Sequence, residues 1–264
     1  MKTLTEDAGN IVADYLLTLK RLDEAISQAT KASNWQAAKL TQTAKSILEQ
    51  GRDKIIAQIG REGLAQYEQS LETAFKELKA NGFDTETLET VHGAADVEAI
   101  LNAEDQVRRF FAQTVTQTRK QIQGITMKVR QKAAEEGWSS GKAFRALRDE
   151  VMAQHPDFTF VDHAGRQWAP EKYLRMVSRT LMAESQREAH ETAYVEAGVD
   201  LVKVSVHGTK CPKCGPFEGK VLSLTGATEG KTTVAEARAA GLFHPNCKHR
   251  LLAYVVEQST KEYS

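Results

Sequence analysis

Apolar residues recur every three or four positions through most of the first half of the chain. This spacing places them on one face of a helix, because an α-helix turns once every 3.6 residues. We predict a first helix over about 11–32, a second that begins after an N-cap at Ser33-Asn34, and a third that ends near Asn81-Gly82. The apolar positions that mark these helices are Val12, Tyr15, Leu16, Leu19, Leu22, Ile26, Trp35, Leu40, Ile47, Leu48, Leu64, Tyr67, Leu71, Phe75 and Leu78.

A longer apolar stripe begins after Asn102 and predicts a fourth helix. Its steps alternate between three and four residues, a pattern close to the seam of a coiled coil. Gly124 lies within the stripe and weakens the helix by about 1 kcal/mol relative to alanine. Two interpretations are open: a core within the chain, or a surface for partner helices or for self-association. The stripe consists of Val107, Phe111, Val115, Thr118, Ile122, Ile125 and Val129.

The pattern changes after Trp138, where short apolar segments alternate with turn residues. Ser139-Ser140-Gly141 ends the long helix, and His155-Pro156 ends the short helix that follows, since the residue before a proline avoids helical dihedral angles. Phe158 and Phe160 then alternate on one face of a predicted hairpin. The predicted elements are a helix to about residue 154, a hairpin over 157–168, a helix from Pro170 to near Gly198, strands at 200–206, 221–224 and 250–256, and a short helix at about 233–240.

Together these elements predict an α+β fold with two domains. Residues 1–154 form a mainly helical part with long helices, as a bundle or an extended helical region. Residues 155–264 form a small C-terminal α+β domain with its core at 200–257. A core of about 65 residues with three short strands buries too little apolar surface to be stable by itself. It therefore needs another source of folding free energy.

The overall charge and hydropathy exclude some classes of protein. The chain has 35 Lys and Arg against 35 Asp and Glu, which argues against a generally basic nucleic-acid-binding protein. Residues 201–264 carry nine basic against five acidic side chains, too small an excess to predict nucleic-acid binding. No apolar segment approaches the roughly 20 residues of a membrane span, and none of signal-peptide type begins the chain. We therefore expect an intracellular protein with no membrane association.

Two pairs of residues with metal-ligand chemistry are the strongest signal in the sequence. Cys211 and Cys214 form a Cys-x-x-Cys motif, and His244 and Cys247 have the same spacing. Two ligands at this spacing on a tight turn can face one ion, and a second pair close in space completes a tetrahedron. Three thiolates and one imidazole form one of the closed ligand sets of structural Zn2+. We therefore predict a structural zinc held by these four residues, which include every cysteine of the chain.

Other interpretations of these residues stay open. The cysteines could be reduced and buried without a metal, or form a redox dithiol. His207 and His249 flank the two pairs and could replace a ligand, although roles beside the ligands or on the surface fit them better. A catalytic zinc would keep an open coordination position, which four good ligands do not leave. Glu218 could serve such a zinc as a base, but an exposed or ion-paired glutamate is the simpler interpretation.

The motifs of several other sites are incomplete. The zinc deaminase pattern has His-x-Glu before its Cys-x-x-Cys motif, and this chain does not. The zincin motif fails because position 194 is tyrosine instead of histidine. The segment 226–232 resembles a P-loop but has three residues between its glycines where four are needed, so we interpret it as a polar surface loop. We predict no catalytic residues and no enzymatic activity.

An ordered set of motifs between about Gly165 and Val256 carries a resemblance to a known family. The motifs resemble those of the phage minor capsid protein 2 group, which is related to the Mu F-like head-morphogenesis proteins. The motifs are Arg166-Gln167-Trp168, Tyr173-x-x-Met176-Val177-x-Arg179-Thr180, Asp200-Leu-Val-Lys-Val-Ser205, Cys211-Pro-Lys-Cys214, Gly219-Lys-Val-Leu-Ser-Leu224 and His244-Pro-Asn-Cys247.

The resemblance implies a virion component made in few copies that acts near the portal vertex in head assembly, DNA packaging or ejection. It implies the portal, the major capsid protein or both as partners, and a place in the virion after assembly in the host cytoplasm. We further expect docking or self-association through the N-terminal helices and a weak contact with packaged DNA. Two alternatives from other classes are a zinc-dependent nuclease or hydrolase and an intracellular nucleic-acid-binding zinc module.

Overall fold

The computed structural model describes residues 4–31, 37–83, 85, 98–153, 160–162 and 164–254 of the chain. These residues form long helices towards the N-terminus and a few short strands towards the C-terminus, which confirms the predicted α+β fold class. None of the helices in these ranges combines the length and apolar composition that a membrane span requires. The helices are α1 (Leu4–Lys31), α2 (Ala37–Ala80), α3 (Glu98–Glu135), α4 (Ser140–Ala153), α5 (Pro170–Glu196) and α6 (Val234–Ala239), and the strands are β1 (Phe160–Val161), β2 (Gln167–Trp168), β3 (Leu201–Val204), β4 (Val221–Ser223) and β5 (Leu251–Ala253).

The second and third predicted helices are one continuous helix, α2, and the prediction of two separate helices is wrong. Three glycines lie within α2, and each costs about 1 kcal/mol relative to alanine. Tertiary packing of an apolar face outweighs such a cost. At Gly51 the missing side chain is required, since a Cβ atom there would lie 2.4 Å from the Thr18 side chain of α1. The predicted N-cap Ser33-Asn34 and the neighbouring Trp35 lie outside the described residues.

The fourth predicted helix, α3, begins at Glu98, earlier than predicted, and passes through Gly124 without a break. Every position of its apolar stripe is buried or half-buried within the described chain. Phe111, Ile122 and Ile125 are each at most 4% exposed. This burial supports the interpretation of the stripe as a core within the chain.

The chain forms two compact units that do not follow the order of the sequence. Unit 1 draws on Met1–Gly60 and Asn102–Ser178, and unit 2 draws on Arg61–Leu101 and Arg179–Ser264. The division therefore falls within α2, α3 and α5. The domain boundary predicted between residues 154 and 155 lies outside the described residues.

A cluster of aromatic side chains fills the core of unit 1. Tyr15 of α1 meets Phe110 of α3 edge to face, with ring centroids 5.4 Å apart. Phe110 packs against Phe111 at 5.3 Å, and Phe160 of β1 packs against Tyr173 of α5 at 4.1 Å. Such aromatic pairs contribute about 0.5–1.5 kcal/mol each beyond the area they bury. The cluster thus joins the strand of the hairpin to three helices.

The predicted hairpin is present as β1 and β2, an antiparallel pair in which Phe160 lies opposite Trp168. Asp162 organises the turn between the strands. Its carboxylate accepts hydrogen bonds from the Arg166 guanidinium Nε at 2.7 Å and from the Trp168 indole Nε1 at 2.8 Å. The returning strand is therefore held to the first by side-chain bonds as well as by the backbone.

Unit 2 contains a three-stranded antiparallel sheet with the strand order β4-β3-β5. Val202 of the central strand β3 lies opposite Leu222 of β4 and Ala253 of β5. The buried side chains of the sheet belong to one core with those of α2 and α5, so these helices supply apolar burial that three short strands lack. This shared core includes Leu71, Ala74, Leu78, Ala189, Ala193, Tyr194, Val202, Val204, Leu222 and Leu251.

The segment that resembles a P-loop is organised by the carboxylate of Asp200. The backbone N–H groups of Thr225 and Thr228 donate to it at 2.8 and 3.1 Å, and Ser223 Oγ donates at 2.8 Å. The Thr225 and Thr228 hydroxyls and these further donors hold the pKa of Asp200 well below its usual range. Since an anionic side chain already uses the amides that would face a phosphate, the segment agrees with a polar surface loop.

A partly buried carboxylate connects two helices of unit 2. Glu188 of α5 accepts the N–H of Ala99, in the first turn of α3, at 3.1 Å. Burial raises the pKa of Glu188 to about 7, against the effect of the Ala99 hydrogen bond, and the carboxylates of Glu184 and Glu98 add to the rise. Folding therefore favours the protonated form of this side chain.

We expect Glu188→Gln to stabilise unit 2 at pH 8 by roughly 1–2 kcal/mol and to change little at pH 4. A carboxyl group whose pKa is raised on folding binds more protons in the folded than in the unfolded state, so stability falls as the pH rises from about 4.5 to about 7. The glutamine keeps an oxygen for the Ala99 N–H. Denaturant unfolding at both pH values measures the effect, with the exposed Glu171→Gln as control. A variant less stable than the wild type at pH 8 would contradict the prediction.

Candidate metal centre

The first predicted ligand pair lies on a tight turn after β3. The Cys211 carbonyl accepts the N–H of Gly215 at 2.9 Å, and the Cys214 carbonyl accepts the N–H of Phe217 at 3.1 Å. The second of these bonds closes a 3₁₀ turn that begins directly after Cys214. Backbone hydrogen bonds thus bend the Cys-x-x-Cys turn (residues 211–214) as its spacing predicts.

The second predicted pair lies on a turn before β5 whose backbone is unusual. Phe243 and Asn246 have φ angles of 60° and 68°, in the left-handed region that asparagine tolerates and bulky side chains rarely adopt. The Cys247 N–H donates to the His244 carbonyl at 2.8 Å. The His-x-x-Cys turn (residues 244–247) therefore depends on a conformation that surrounding contacts must maintain.

The two turns lie against each other and bring their ligand atoms together. A Cβ atom on Gly241 would lie 3.1 Å from the Cβ atom of Lys213, so the backbones approach closely there. The ligand atoms form two overlapping groups, and within each group all of them lie within 4.8 Å of one another. The first group is Cys211, Cys214 and His244, and the second is Cys214, Cys247 and His249.

His244 faces the Cys-x-x-Cys turn with the nitrogen that a metal would use. Its Nε2 lies 3.3 Å from both the Cys211 and the Cys214 Sγ atoms. Its Nδ1 lies 2.9 Å from the Pro245 carbonyl oxygen, which can only accept a hydrogen bond. Nδ1 therefore carries the proton, and the lone pair of Nε2 points at the sulfurs, as in a metal-ligating imidazole.

Three of the four predicted ligands lie in one group. The fourth, Cys247, lies in the second group, which also contains Cys214. Cys247 lies with Cys214 and His249, and among the described residues no single group contains all four predicted ligands. The ligand set therefore stays a prediction. Its members, Cys211, Cys214, His244 and Cys247, all belong to Cys/His groups that could hold a metal ion.

The two flanking histidines have different surroundings. His249 is only 2% exposed, and its Nδ1 lies 3.2 Å from Cys247 Sγ, so it does not lie on the surface. His249 follows Cys247 by two residues, and the fold places both side chains in one group of potential ligands. That Cys-x-His spacing is the sequence signal that could have found it. His207 is exposed, and its Nε2 lies 2.9 Å from Ser205 Oγ.

Glu218 joins the segments that precede and follow the two turns. One carboxylate oxygen lies 2.9 Å from His249 Nε2 and accepts the backbone N–H groups of His207 at 2.9 Å and Thr209 at 3.2 Å. These hydrogen bonds, above all that from His249, lower the pKa of Glu218 to about 2. Glu218 is therefore held by three hydrogen bonds, and its pair with His249 is ionic only when that imidazole is protonated.

The thiols of the cluster have different proton affinities. The backbone N–H groups of Cys214 and Lys213 lower the pKa of Cys211 to about 7. Burial raises the pKa of Cys214 to about 12, and the adjacent sulfurs of Cys211 and Cys247 add to the rise. Three neighbouring thiolates repel each other unless a cation lies among them, and a divalent metal ion would offset both this repulsion and the cost of burial.

A family model described as phage minor capsid protein 2 matches residues 11–264. The chain belongs to the phage minor capsid protein 2 family. This family match extends over the N-terminal helices, whereas the motifs that carried the resemblance lie in the last third of the chain. No curated protein and no solved structure matches the chain. The family is one of structural components of the virion, which favours a non-enzymatic role.

In this minor capsid protein a buried arginine supports the His-x-x-Cys turn from α5. Arg187 is 4% exposed, and it donates from Nε to Glu184 at 3.1 Å and from a terminal nitrogen to the His249 carbonyl at 3.3 Å. Its guanidinium carbon lies 4.6 Å from the centre of the Phe243 ring, and that of Arg238 lies 5.0 Å from the same centre. Two cations thus contact the aromatic ring of the residue directly before the turn.

We expect Arg187→Met to destabilise unit 2 by about 3 kcal/mol, because it removes one partner of a buried ion pair and a contact of the strained turn. Denaturant unfolding measures the loss, and hydrogen exchange of the amides at 243–250 locates it. Arg179→Met, at an exposed position of the same helix, is the matched control and should stay within about 0.5 kcal/mol of the wild type. Equal stability of the two variants would contradict a supporting role for Arg187.

Proposed function

We propose that this protein is a low-copy virion component near the portal that acts in head assembly, DNA packaging or ejection. We propose further that structural Zn2+ holds its C-terminal part together. The observation that carries the proposal is the convergence of Cys and His side chains on two adjacent turns in a member of a phage minor capsid family.

The donor set favours zinc over other metal ions. Soft thiolates with imidazole are typical zinc ligands, whereas magnesium and calcium prefer oxygen. The three thiolates of Cys211, Cys214 and Cys247 with one imidazole, which the sequence predicts to be that of His244, would form a closed tetrahedral set. A closed set leaves no position for substrate or water, so the proposed role of the ion is structural.

The proposed zinc would act by joining parts of the fold that are distant in sequence. The Cys-x-x-Cys turn follows the central strand β3, and the His-x-x-Cys turn precedes the edge strand β5. A zinc ion bound by both turns would link β3 to β5. Its coordination bonds would be stronger than the contacts between the few apolar side chains of the turns. In small domains the free energy of metal binding contributes directly to folding.

The helical part would then provide surfaces for other virion proteins. We propose the portal, the major capsid protein or both as its partners, with self-association through the N-terminal helices. The exposed side chains Leu16, Leu17 and Met127, between 43% and 72% exposed, offer apolar contacts on α1 and α3. Exposed lysines beside the predicted ligands, Lys210, Lys213 and Lys248, would support a weak contact with packaged DNA.

We expect Cys214→Ser to lose the bound metal and to unfold the sheet of unit 2, while the helices of unit 1 persist. Cys214 belongs to both ligand groups, so no arrangement of the remaining donors replaces it. Metal analysis, thermal unfolding followed by circular dichroism, and hydrogen exchange of residues 201–254 report the three effects. Lys213→Ala, at an exposed neighbouring position, is the control. Unchanged metal content and melting of the Cys214 variant would refute the proposed zinc site.

We expect a few copies of the protein in each virion, fewer than or comparable to the portal subunits. Quantitative mass spectrometry of purified virions measures the ratio directly. The protein should remain after nuclease and high-salt washing, because a protein that adheres only to DNA through its phosphates is released by salt. Absence from washed virions would refute a virion component. Metal-dependent cleavage of DNA by the purified protein would favour a zinc-dependent nuclease instead.

A further inference from the structure

The cluster contains more donor atoms than one tetrahedral ion can bind. Three sulfurs and two imidazole nitrogens lie in two groups that share Cys214. If all three thiolates bind a four-coordinate zinc, one position is left for an imidazole. His244 and His249 compete for that position. The sequence pattern favours His244, whose Nε2 lies 3.3 Å from the sulfurs of Cys211 and Cys214.

The surroundings of His249 are those of a buried ligand. The residue is 2% exposed, whereas His244 is half-buried. His249 Nε2 lies 2.9 Å from a carboxylate oxygen of Glu218, which fixes the proton on Nε2. The lone pair of Nδ1 is then directed at the sulfur of Cys247, 3.2 Å away.

We propose that His249 is a ligand of the metal ion, through Nδ1, and that Glu218 is the residue that positions it. This inference rests on the proposed zinc site. His244, which offers Nε2 from the more exposed side, becomes the alternate imidazole. The ligands that hold the ion are then Cys211, Cys214, Cys247 and His249.

Glu218 suits this positioning role because three hydrogen bonds converge on one of its carboxylate oxygens. It accepts the N–H groups of His207 and Thr209 in addition to the His249 imidazole, and its side chain is 14% exposed. A carboxylate that accepts the distal N–H of a metal-bound histidine fixes the orientation of the ring and strengthens the opposite nitrogen as a donor. The same carboxylate holds the segment that leads into the Cys-x-x-Cys turn, so one side chain aligns both halves of the site.

The two histidines can be distinguished because they would bind through different nitrogens. We expect 15N and 13C NMR spectra of the zinc-loaded full chain to show one imidazole coordinated through Nδ1 with a slowly exchanging Nε2–H. His249→Gln should remove that signal and weaken zinc binding by at least tenfold, whereas His244→Gln should leave the signal in place. An Nε2-coordinated imidazole assigned to His244, with His249 free, would overturn the inference even if His249→Gln failed to fold.

The positioning role of Glu218 has its own test. Glu218→Gln should weaken zinc binding by about 10–100-fold and speed the exchange of the His249 Nε2–H, and Glu218→Asp should recover part of the affinity. Glu229→Gln, an exposed glutamate of the same unit, is the control. A Glu218→Gln variant could lose stability but keep the zinc affinity and the His249 signal. That result would show that Glu218 only stabilises the fold, and it would overturn the positioning role.

Failure of the inference and failure of the zinc site give different results. Wild-type protein that binds zinc through His244 alone overturns only the assignment of His249 and Glu218. Wild-type protein that takes up no zinc under reducing conditions overturns both the assignment and the proposed structural zinc.

Discussion

Cys214, buried where two groups of potential metal ligands meet, is the main physical constraint on the candidate site. It is 3% exposed and belongs to both groups of potential ligands. Cys214 belongs to the hydrophobic core of unit 2, but its sulfur also lies beside further thiols and imidazoles, polar groups that need a partner when buried. The arrangement is satisfied when a soft cation lies among them, and the structure around it is built to keep the donors in place.

Three sets of contacts maintain the donor positions. Backbone hydrogen bonds shape the Cys-x-x-Cys turn, Glu218 joins the segments beside both turns, and Arg187 fixes the strained His-x-x-Cys turn from α5. The sheet that carries the turns also shares its core with α2 and α5. A metal ion would therefore complete a region that already has packed helices beneath it, instead of being its sole source of order.

In a minor capsid protein, the Cys/His cluster and the sheet beside it have a structural role under the proposed function. A virion component must keep its shape through assembly and the entry of DNA into the head, and coordination bonds stabilise a small sheet without a large core. Under the proposed function the helices of unit 1 provide contacts with other virion proteins. The aromatic cluster of Tyr15, Phe110 and Tyr173 makes that unit a packed body with its own core.

Features that depend on neighbouring residues could be predicted from the amino-acid pattern. The apolar period placed α1, α3 and α5, Pro170 marked the start of α5, turn residues marked the hairpin, and β-branched alternation located β3. The Cys-x-x-Cys and His-x-x-Cys spacings identified residues that the structure brings close together, and the ordered motifs identified the family that the match over residues 11–264 confirms.

Features that depend on residues far apart in the chain became visible only in the folded structure. Gly51 does not break α2 because Thr18 of α1 fills the space of its missing side chain. The division into two units cuts across helices that sequence order treats as single elements. His249 becomes a candidate ligand because Glu218, 31 positions away, binds its distal nitrogen and the fold buries it. Local patterns record the periodicity of helices, strands and turns, whereas burial and the choice of hydrogen-bond partner arise only when distant segments pack together.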